Sequence, residues 1–187
     1  ATAVPAIGTD GIEPAILQTL PACNTEIIPN GGYSTTIELF RPADIGSKQQ
    51  VQVSSINTGV PHVVVPVVDI DQAPVEAVGR EIRYHERFAP AGTNVNFVGP
   101  QKDGTMAIRT YERGVEGETL ACGTGSVAAA IVAAHASGLR SPVDLMTRSG
   151  AMLTIYFDGS SGGYANVQLE GDARVIYQGE LWEEAWE

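Results

Sequence analysis

The sequence is poor in the residues on which most metal-binding and disulfide-bonded proteins depend. Its 187 residues include two cysteines, Cys23 and Cys122, and three histidines that lie far apart. Two cysteines do not make a disulfide framework in a chain of this length, so we expect a reducing compartment, the cytoplasm. Neither a Cys-x-x-Cys pair nor closely spaced histidines occur, and we therefore expect no metal site.

Positive charge and long apolar runs are also scarce. Lys and Arg number 11 against 22 Asp and Glu, which gives a formal net charge of −11. A nucleic-acid surface needs clustered Lys and Arg, so we expect no nucleic-acid partner. No apolar run is long enough to cross a membrane and no signal or transit pattern opens the chain, so we expect no membrane partner. A Walker loop and a Gly-x-Gly-x-x-Gly fingerprint are both missing, which removes the usual signals of a nucleotide site.

What is present fits a globular protein. Hydrophobic residues make up 43% of the chain and charged residues 18%, and the length suffices for one domain or two small lobes. Residues 1–36 are weakly patterned and rich in Pro and Gly, with two helical turns predicted at Glu13 to Leu20. The chain does not begin with Met, so we expect that its start has been processed or truncated.

The remaining residues, 37–187, are patterned mostly as β-structure. Alternating or β-branched stretches predict strands at Thr36–Phe40, Gln50–Ile56, His62–Val68, Asn94–Val98, Thr105–Tyr111, Val143–Thr147, Met152–Phe157, Ala165–Glu170 and Ala173–Tyr177. Asn57 to Gly59 are expected to form a turn. Trp182 and Trp186 are four residues apart and would share a face if the end of the chain were helical.

Two helices are expected, and the second organises the fold. The first starts between Asp71 and Pro74, where proline suits an opening turn. The second starts close to Thr124, with Thr124 or Ser126 as its N-cap and Gly138 as its C-cap. Residues 127–134 have no polar face, so this helix should be buried on all sides. We expect an α+β fold, a strongly bent and mostly antiparallel sheet around this central helix.

Cys122 stands directly before this helix, between a charged loop and Gly-Thr-Gly. Unpaired N–H groups and the dipole of a helix N-terminus favour negative charge, so we expect a lowered pKa for the thiol. Gly123 and Gly125 would leave N–H groups open to a carboxylate, and packing alone does not require both glycines. The alternative is an inert core thiol, which is the usual outcome for a lone cysteine.

Four sequence blocks in order resemble the diaminopimelate epimerase family, over about the last four-fifths of the chain. The cysteine block is similar to that family's second catalytic-cysteine motif. The blocks are residues 57–63 (Asn-Thr-Gly-Val-Pro-His-Val), residues 88–97 (Phe-Ala-Pro-Ala-Gly-Thr-Asn-Val-Asn-Phe), residues 112–114 with 121–125, and residues 169–171 with 179–180. Proline racemases and phenazine-pathway isomerases share the fold but lack the Glu-Arg-Gly block at residues 112–114.

The resemblance implies a diaminopimelate-epimerase-like α/β-roll in which residues 37–187 form the C-terminal lobe. It implies no cofactor, a small-molecule amino-acid substrate, and leaves a homodimer open. Cys23 lies in Pro-Ala-Cys-Asn-Thr, which does not match the family's first cysteine motif, Asn-Gly-x-Arg-Cys. We therefore expect that the lobe with the first catalytic cysteine is missing from this chain.

The same resemblance assigns roles to individual residues. Catalysis would fall to Cys122, Glu112 and His62, and substrate binding to Asn94, Arg113, Gly123 and Thr124. Arg113 would hold the distal carboxylate of the substrate through its bidentate fork. Without the resemblance, Glu112 and Arg113 are a surface ion pair, His62 a core histidine, and both asparagines of residues 94–96 turn or strand-edge residues.

The activity implied is conversion of LL- to meso-diaminopimelate by a two-cysteine acid/base mechanism, a step of lysine and peptidoglycan precursor synthesis. Two alternatives stay open: a racemase of another amino acid, of the proline or hydroxyproline type, and a catalytically silent carboxylate-binding domain. Val60 stands where many family members carry Asn, and Glu116 lengthens the loop before the cysteine by one residue. With only one acid/base in view, we expect this chain alone to have little or no activity.

Overall fold

The computed structural model describes the chain in full over residues 51–102, 105–160, 163–174 and 176–180 and at residue 182, and describes three further strands by their backbone. Ten strands occur in these parts of the chain. They are β1 (Ile16–Thr19), β2 (Tyr33–Phe40), β3 (Lys48–Asn57), β4 (Pro61–Pro66), β5 (Asn94–Pro100), β6 (Met106–Glu112), β7 (Gly117–Thr119), β8 (Val143–Met146), β9 (Met152–Ser160) and β10 (Gly163–Gly171). Helix α1 spans Val75–Arg83, helix α2 spans Gly123–Ser137, and a 3-10 turn spans Glu86–Phe88.

The strands form one mixed sheet in the order β1-β10-β9-β8-β6-β5-β4-β3-β2, with β7 paired to β6. The pairs β4–β5 and β6–β8 are parallel, and the other recorded pairs are antiparallel. A parallel pair needs a crossover connection, and α1 and α2 lie within these two crossovers. The expected α+β fold with a mostly antiparallel sheet is confirmed.

Each helix packs on its own face of the sheet, because successive side chains of a strand point to opposite faces. Val64 of β4, Val98 of β5 and Ile108 of β6 belong to the core cluster around α2. Their neighbours along the same strands, such as Val65 and Phe97, belong to the cluster that contains α1. This alternation decides which side chains can reach the N-terminus of α2.

Helix α2 is enclosed by the sheet, as the sequence predicted. It contacts strands β3 to β6 on one side and β8 to β10 on the other. Residues 125–131 are all buried, and Gly, Ser or Ala at five of these seven positions lets the strands approach closely. The helix ends at Gly138, whose φ of 69° is the left-handed conformation of a C-cap, so that prediction is also confirmed.

The predicted N-caps of α2, Thr124 and Ser126, are wrong by two and four positions. The helix begins at Gly123 with Cys122 as N-cap, and Cys122 makes no side-chain capping bond. The hydroxyl of Ser126 donates to the carbonyl of Cys122 at 3.0 Å, and that of Thr124 is bonded to His62. Both hydroxyls therefore have other partners and are not available to cap the helix.

Other differences from the sequence reading lie at the edges of the sheet. Residues 16–19, within the predicted helical turns at Glu13 to Leu20, form β1, because pairing with β10 outweighs helix propensity. No strand forms at residues 173, 174, 176 and 177, and Ile176 and Tyr177 are 90% and 85% exposed. Trp182 is not helical. Cys23 and Trp186 lie outside the described residues.

Gly79 brings α1 close to the sheet. A Cβ built there would lie 2.6 Å from Cβ and 2.9 Å from Cγ of Tyr111, which is 1% exposed. Helix propensity alone predicts that Gly79→Ala stabilises the chain by about 1 kcal/mol. Overpacking predicts a loss of roughly 1–3 kcal/mol, and we expect the loss because the backbone of β6 cannot yield cheaply.

Urea unfolding followed by circular dichroism measures this free energy of unfolding. Ala77→Gly, on the exposed side of α1, is the matched control and should cost about 1 kcal/mol through propensity alone. A Gly79→Ala variant more stable than the wild type would show that the contact with Tyr111 is not tight.

Candidate active site

The sheet face that packs on α2 becomes polar at one end. Continuing the apolar positions of β4, β5 and β6 in steps of two residues leads to His62, to Asn96 and Asn94, and to Thr110 and Glu112. In the register of the sheet, His62 lies opposite Asn94, and Asn96 lies opposite Thr110. The N-terminus of α2, with Cys122, faces this group of side chains. The fold thus gathers on one face residues that are up to 60 positions apart.

The Cys122 thiol is partly exposed and has neighbours of two kinds. Its sulfur lies 3.6 Å from the hydroxyl oxygen of Thr124, and the N–H of Gly125 is near enough to favour its thiolate form. The carboxylate of Glu112 lies within hydrogen-bond reach on the other side. The sulfur therefore has donors that favour its thiolate form and an acceptor that favours its thiol form.

The expected lowering of the Cys122 pKa is wrong. Burial raises the pKa of this thiol, and the negative charge and hydrogen bond of Glu112 raise it further. The hydroxyl of Thr124 and the N–H of Gly125 act in the opposite direction without reversing the result. The position at a helix N-terminus was visible in the sequence, but the desolvation and the facing carboxylate were not.

Arg113 is held in place through its own backbone. The amide oxygen of Asn94, a residue 2% exposed, accepts a hydrogen bond of 2.8 Å from the N–H of Arg113. The guanidinium donates to the carbonyl of Ala91 at 3.3 Å, and its charge contributes to lowering the pKa of His62. Asn94 and Arg113, both expected to bind substrate, are therefore in direct contact.

Glu116, the additional residue of the loop, ties the β6–β7 hairpin to α1. It has a left-handed φ of 59°, and its carboxylate pairs with Arg83 at 3.1 Å and accepts from the N–H of Gly114 at 3.0 Å. These contacts, the bond to Gly114 above all, hold the pKa of Glu116 below its usual value. The contacts of Glu116 therefore fix the loop that carries Arg113.

His62 is fully buried and bonded to side chains. Its Nδ1 lies 3.0 Å from the amide nitrogen of Asn96, and its Nε2 lies 3.0 Å from the hydroxyl of Thr124. Burial, aided by the charge of Arg113, lowers the pKa of His62 to about 4. The imidazole is therefore neutral at physiological pH, and it contacts Cys122 only through Thr124.

Three residues at this site were missed in the sequence. Thr58 donates to the carbonyl of Thr124 at 2.9 Å, and Thr110 donates to the amide oxygen of Asn96 at 3.0 Å. Asn96 is not a turn or strand-edge residue, since it is 0% exposed in the middle of the sheet. A polar residue inside an apolar strand was the signal that should have identified it, because buried polar groups need partners.

Close packing also favours glycine at positions 123 and 125, beside Cys122. A Cβ at Gly125 would collide with the amide oxygen of Asn96 and lie 3.1 Å from the sulfur. At Gly123 it would lie 3.2 Å from Leu169. The expectation that packing does not require both glycines is therefore wrong for Gly125. The N–H groups of Gly123 and Thr124 still lie in the first helical turn, where no intrahelical acceptor exists.

This arrangement suits proton transfer at a carbon next to a carboxylate. A thiol can act as an acid or a base, Glu112 is its acidic neighbour, and the first turn of α2 has N–H groups that can bind an anion. Within the described residues, no group of three His, Cys, Asp or Glu side chains is placed to hold a metal ion. None of the helices in that part of the chain is long and apolar enough to cross a membrane.

The fold has a solved counterpart. The crystal structure of a hydroxyproline epimerase from Agrobacterium vitis aligns with a TM-score of 0.56 over 88% of this chain and 52% of that chain. The sequence identity is 17%, so the likeness concerns the fold alone. The chain thus has the α/β-roll architecture of this class of epimerases.

Sequence comparison gives the family. The family model described as diaminopimelate epimerase matches residues 54–175. The chain belongs to the diaminopimelate epimerase family. A diaminopimelate epimerase of Aquifex aeolicus is 53% identical over 134 residues, which cover 71% of this chain and 47% of the relative. One of Methanocella arvoryzae is 44% identical over 131 residues, covering 70% and 44%. The chain spans about half the length of the curated relatives it matches.

Replacing Glu112 should make Cys122 more reactive. Glu112→Gln removes the negative charge and weakens the acceptor that together raise the thiol pKa, so the thiolate fraction at pH 8 increases. Since the nucleophilicity of a thiolate falls with its pKa, we expect alkylation to accelerate by roughly threefold for each unit of pKa.

The rate is measured with iodoacetamide by intact-mass spectrometry, in a Cys23→Ser background that leaves one thiol. Glu86→Gln, at an exposed position of the 3-10 turn, removes the same charge elsewhere and should have no effect. Slower alkylation in Glu112→Gln would contradict the assigned influence of Glu112.

Acid should destabilise the fold through His62. The unfolded imidazole binds its proton at pH about 6.5, and the folded one only near pH 4. Between these values the unfolded state binds more protons, so the free energy of unfolding decreases as the pH falls. The loss saturates below pH 4 at about 3 kcal/mol.

Urea unfolding at pH values from 7.5 to 4.5 gives this dependence. His62→Gln should show a shallower decline than the wild type, and His135→Gln is the control for losing one exposed imidazole. Equal slopes for His62→Gln and the wild type would assign the acid sensitivity to other groups.

Proposed function

We propose that this chain is the part of a diaminopimelate epimerase that carries one of its two acid/base groups, Cys122. The complete enzyme converts LL-diaminopimelate to meso-diaminopimelate without a cofactor, in the cytoplasm, as a step of lysine biosynthesis. The observation that carries the proposal is the position of the Cys122 thiol at the N-terminus of α2, 3.6 Å from the hydroxyl of Thr124 and near enough to Glu112 for this carboxylate to raise its pKa. Residues 37–187 form the lobe in question.

The reaction needs two groups on opposite faces of the α-carbon. One takes the α-proton with the C–H electron pair left on carbon, and the other returns a proton to the opposite face. Cys122 is one of these groups, and a second acid/base, not identified in this chain, is the other. In the site without substrate, burial and Glu112 favour the thiol form of Cys122. Cys122 therefore enters the reaction as the acid.

Glu112 favours the thiol form of the cysteine over the thiolate. When Cys122 is a thiol, the carboxylate accepts its S–H, and when Cys122 is a thiolate, the carboxylate discourages it from persisting. The raised pKa of the Cys122 thiol lies closer to the high pKa of the substrate's α-proton. A smaller difference between these two pKa values favours proton transfer. Glu112 and Cys122 are the proposed catalytic pair in this lobe, with His62 assisting through Thr124.

Substrate binding is assigned to the groups around this pair. The N–H groups of Gly123 and Thr124 hold the α-carboxylate, and Arg113, fixed through Asn94, holds the distal carboxylate. The hydroxyl of Thr124 is already bonded to His62 and Cys122, so the backbone of α2 carries the α-carboxylate. Val60 supplies no polar contact, which leaves the remaining polar contacts to these residues and to the rest of the enzyme.

A chimera tests the proposal directly. Residues 54–175 of this chain replace the matching residues of the Aquifex aeolicus relative, which supplies the other half. We expect the chimera to form meso-diaminopimelate and to incorporate deuterium at the α-carbon in heavy water. The 187-residue chain alone should show little or no turnover, since one acid/base cannot serve both faces.

Two variants of the chimera separate the alternatives. Cys122→Ala should abolish conversion while circular dichroism remains unchanged. Arg113→Lys should raise KM for diaminopimelate, because a point charge does not replace a bidentate fork. A folded chimera that racemises proline or hydroxyproline but not diaminopimelate would favour the other racemase class. A folded chimera with no α-proton exchange on any amino acid would favour a silent carboxylate-binding domain.

A further inference from the structure

Asn96 occupies a position that no catalytic or binding role accounts for. It is 0% exposed, in the middle of β5, between β4 and β6. Burying an amide is costly unless its donors and acceptor are paired. Each of its polar atoms has a partner, and the partners lead towards Cys122.

The orientation of the Asn96 amide is fixed by a backbone carbonyl, which can play only one role. Its nitrogen lies 3.2 Å from the carbonyl oxygen of Val63, which can only accept. Its oxygen accepts from the hydroxyl of Thr110 at 3.0 Å. The same nitrogen lies 3.0 Å from Nδ1 of His62 and therefore donates to it.

This donation determines the tautomer of His62. Nδ1 must present a lone pair, so in the neutral imidazole the proton sits on Nε2. Nε2–H then donates to the hydroxyl oxygen of Thr124 at 3.0 Å. Having accepted this bond, the Thr124 hydroxyl directs its own proton to the sulfur of Cys122, 3.6 Å away.

We propose that Asn96 is a positioning residue for Cys122, which holds His62 as the Nε2–H tautomer so that the Thr124 hydroxyl donates to the sulfur. The bonds run in one direction, from Asn96 through His62 and Thr124 to Cys122. Reversing the first bond reverses the others. With the Nδ1–H tautomer, the Thr124 hydroxyl would donate to Nε2 and leave the sulfur.

The chain of bonds gives each protonation state of Cys122 its own partner. The thiolate accepts from the Thr124 hydroxyl, and the thiol donates to Glu112. The charged groups that face this chain are Glu112 at the sulfur and Arg113 at the imidazole. Burial, aided by the charge of Arg113, disfavours the imidazolium, so His62 stays neutral while the sulfur changes its charge.

Steric fit supports the assignment. A Cβ at Gly125 would collide with the amide oxygen of Asn96, so glycine lets the first turn of α2 rest on this amide. Thr58, in the turn that follows β3, fixes the same turn of α2 by donating to the carbonyl of Thr124 at 2.9 Å. The distance from His62 to Thr124 is therefore set by α2 and the sheet together.

The inference rests on the proposed function only in taking Cys122 as an acid/base. The test measures the tautomer of the His62 imidazole and the alkylation rate of the Cys122 thiol, without any epimerase assay. A failure of this inference is therefore distinguishable from a failure of the proposed function. Long-range ¹H–¹⁵N spectra of the labelled chain, with His62→Gln for assignment, should show His62 as Nε2–H and unchanged from pH 7.5 to 5.5. An Nδ1–H tautomer in the wild type overturns the proposal without any variant of Asn96.

Asn96→Asp supplies the functional arm. The isosteric carboxylate can only accept at neutral pH, so the ring signal should change to Nδ1–H. In a Cys23→Ser background, alkylation of Cys122 at pH 8 should slow by roughly three- to tenfold, as the thiolate loses its hydroxyl donor. Gln72→Glu adds the same charge at an exposed position and should leave the rate unchanged.

A double-mutant cycle separates the bond chain from the charge itself. Thr124→Val removes the last donor without adding charge, and Thr124→Ser retains the hydroxyl and should restore the wild-type rate. If Asn96 acts through Thr124, Asn96→Asp has little further effect in the Thr124→Val background. An undiminished effect in that background means that the carboxylate acts through space, and it overturns the positioning role.

Discussion

The burial of α2 is the constraint on which the rest of the structure depends. This helix has no polar face, so the only stable arrangement encloses it, and the sheet must bend far enough for both of its halves to reach it. The helical hydrogen bonds satisfy the backbone groups in the interior of α2, but the N–H groups of its first turn have no partner within the helix. Cys122, which is partly exposed, lies at this end of the helix. A polar site at one end of an apolar core follows directly from enclosing the helix.

Burial also decides the protonation of the groups at this end of the helix. Desolvation disfavours charge, so it lowers the pKa of His62 and raises that of Cys122. Both groups are thus neutral at physiological pH, and Glu112 and Arg113 carry the nearby charges. The site thus places two neutral groups that can exchange protons beside a carboxylate and a guanidinium. This agrees with a role in acid/base chemistry at carbon.

The sequence predicted the elements whose patterns are long and uniform. The buried helix and its Gly138 cap and the strands of the central sheet were visible because period and composition agree there. The helical turns at residues 13–20 and the strand at residues 173–177 were wrong, because pairing along a sheet edge depends on partners distant in sequence. The N-cap was misplaced for a related reason. Thr124 has a hydroxyl that suits capping, but His62, 62 residues earlier, competes for it.

Candidate site residues were identified better than their interactions. The family motifs pointed to Cys122, Glu112 and His62, but only the fold reveals that burial raises the thiol pKa. Asn96 was overlooked because its importance comes from register: it lies opposite Thr110 and one step from His62 on the same sheet face. Sequence reasoning lists chemical groups, whereas hydrogen-bond direction depends on which groups meet.

The direction of those bonds explains how a buried acid/base can work in both directions. A cysteine with only a donor nearby would remain a thiolate, and one with only an acceptor would remain a thiol. Here Thr124 offers the donor and Glu112 the acceptor, and neither has to move when the sulfur gains or loses its proton. An epimerase must run both ways over one carbon, so its acid in one direction is its base in the other. A sulfur with a preset partner for each state meets that requirement with little reorganisation of its surroundings.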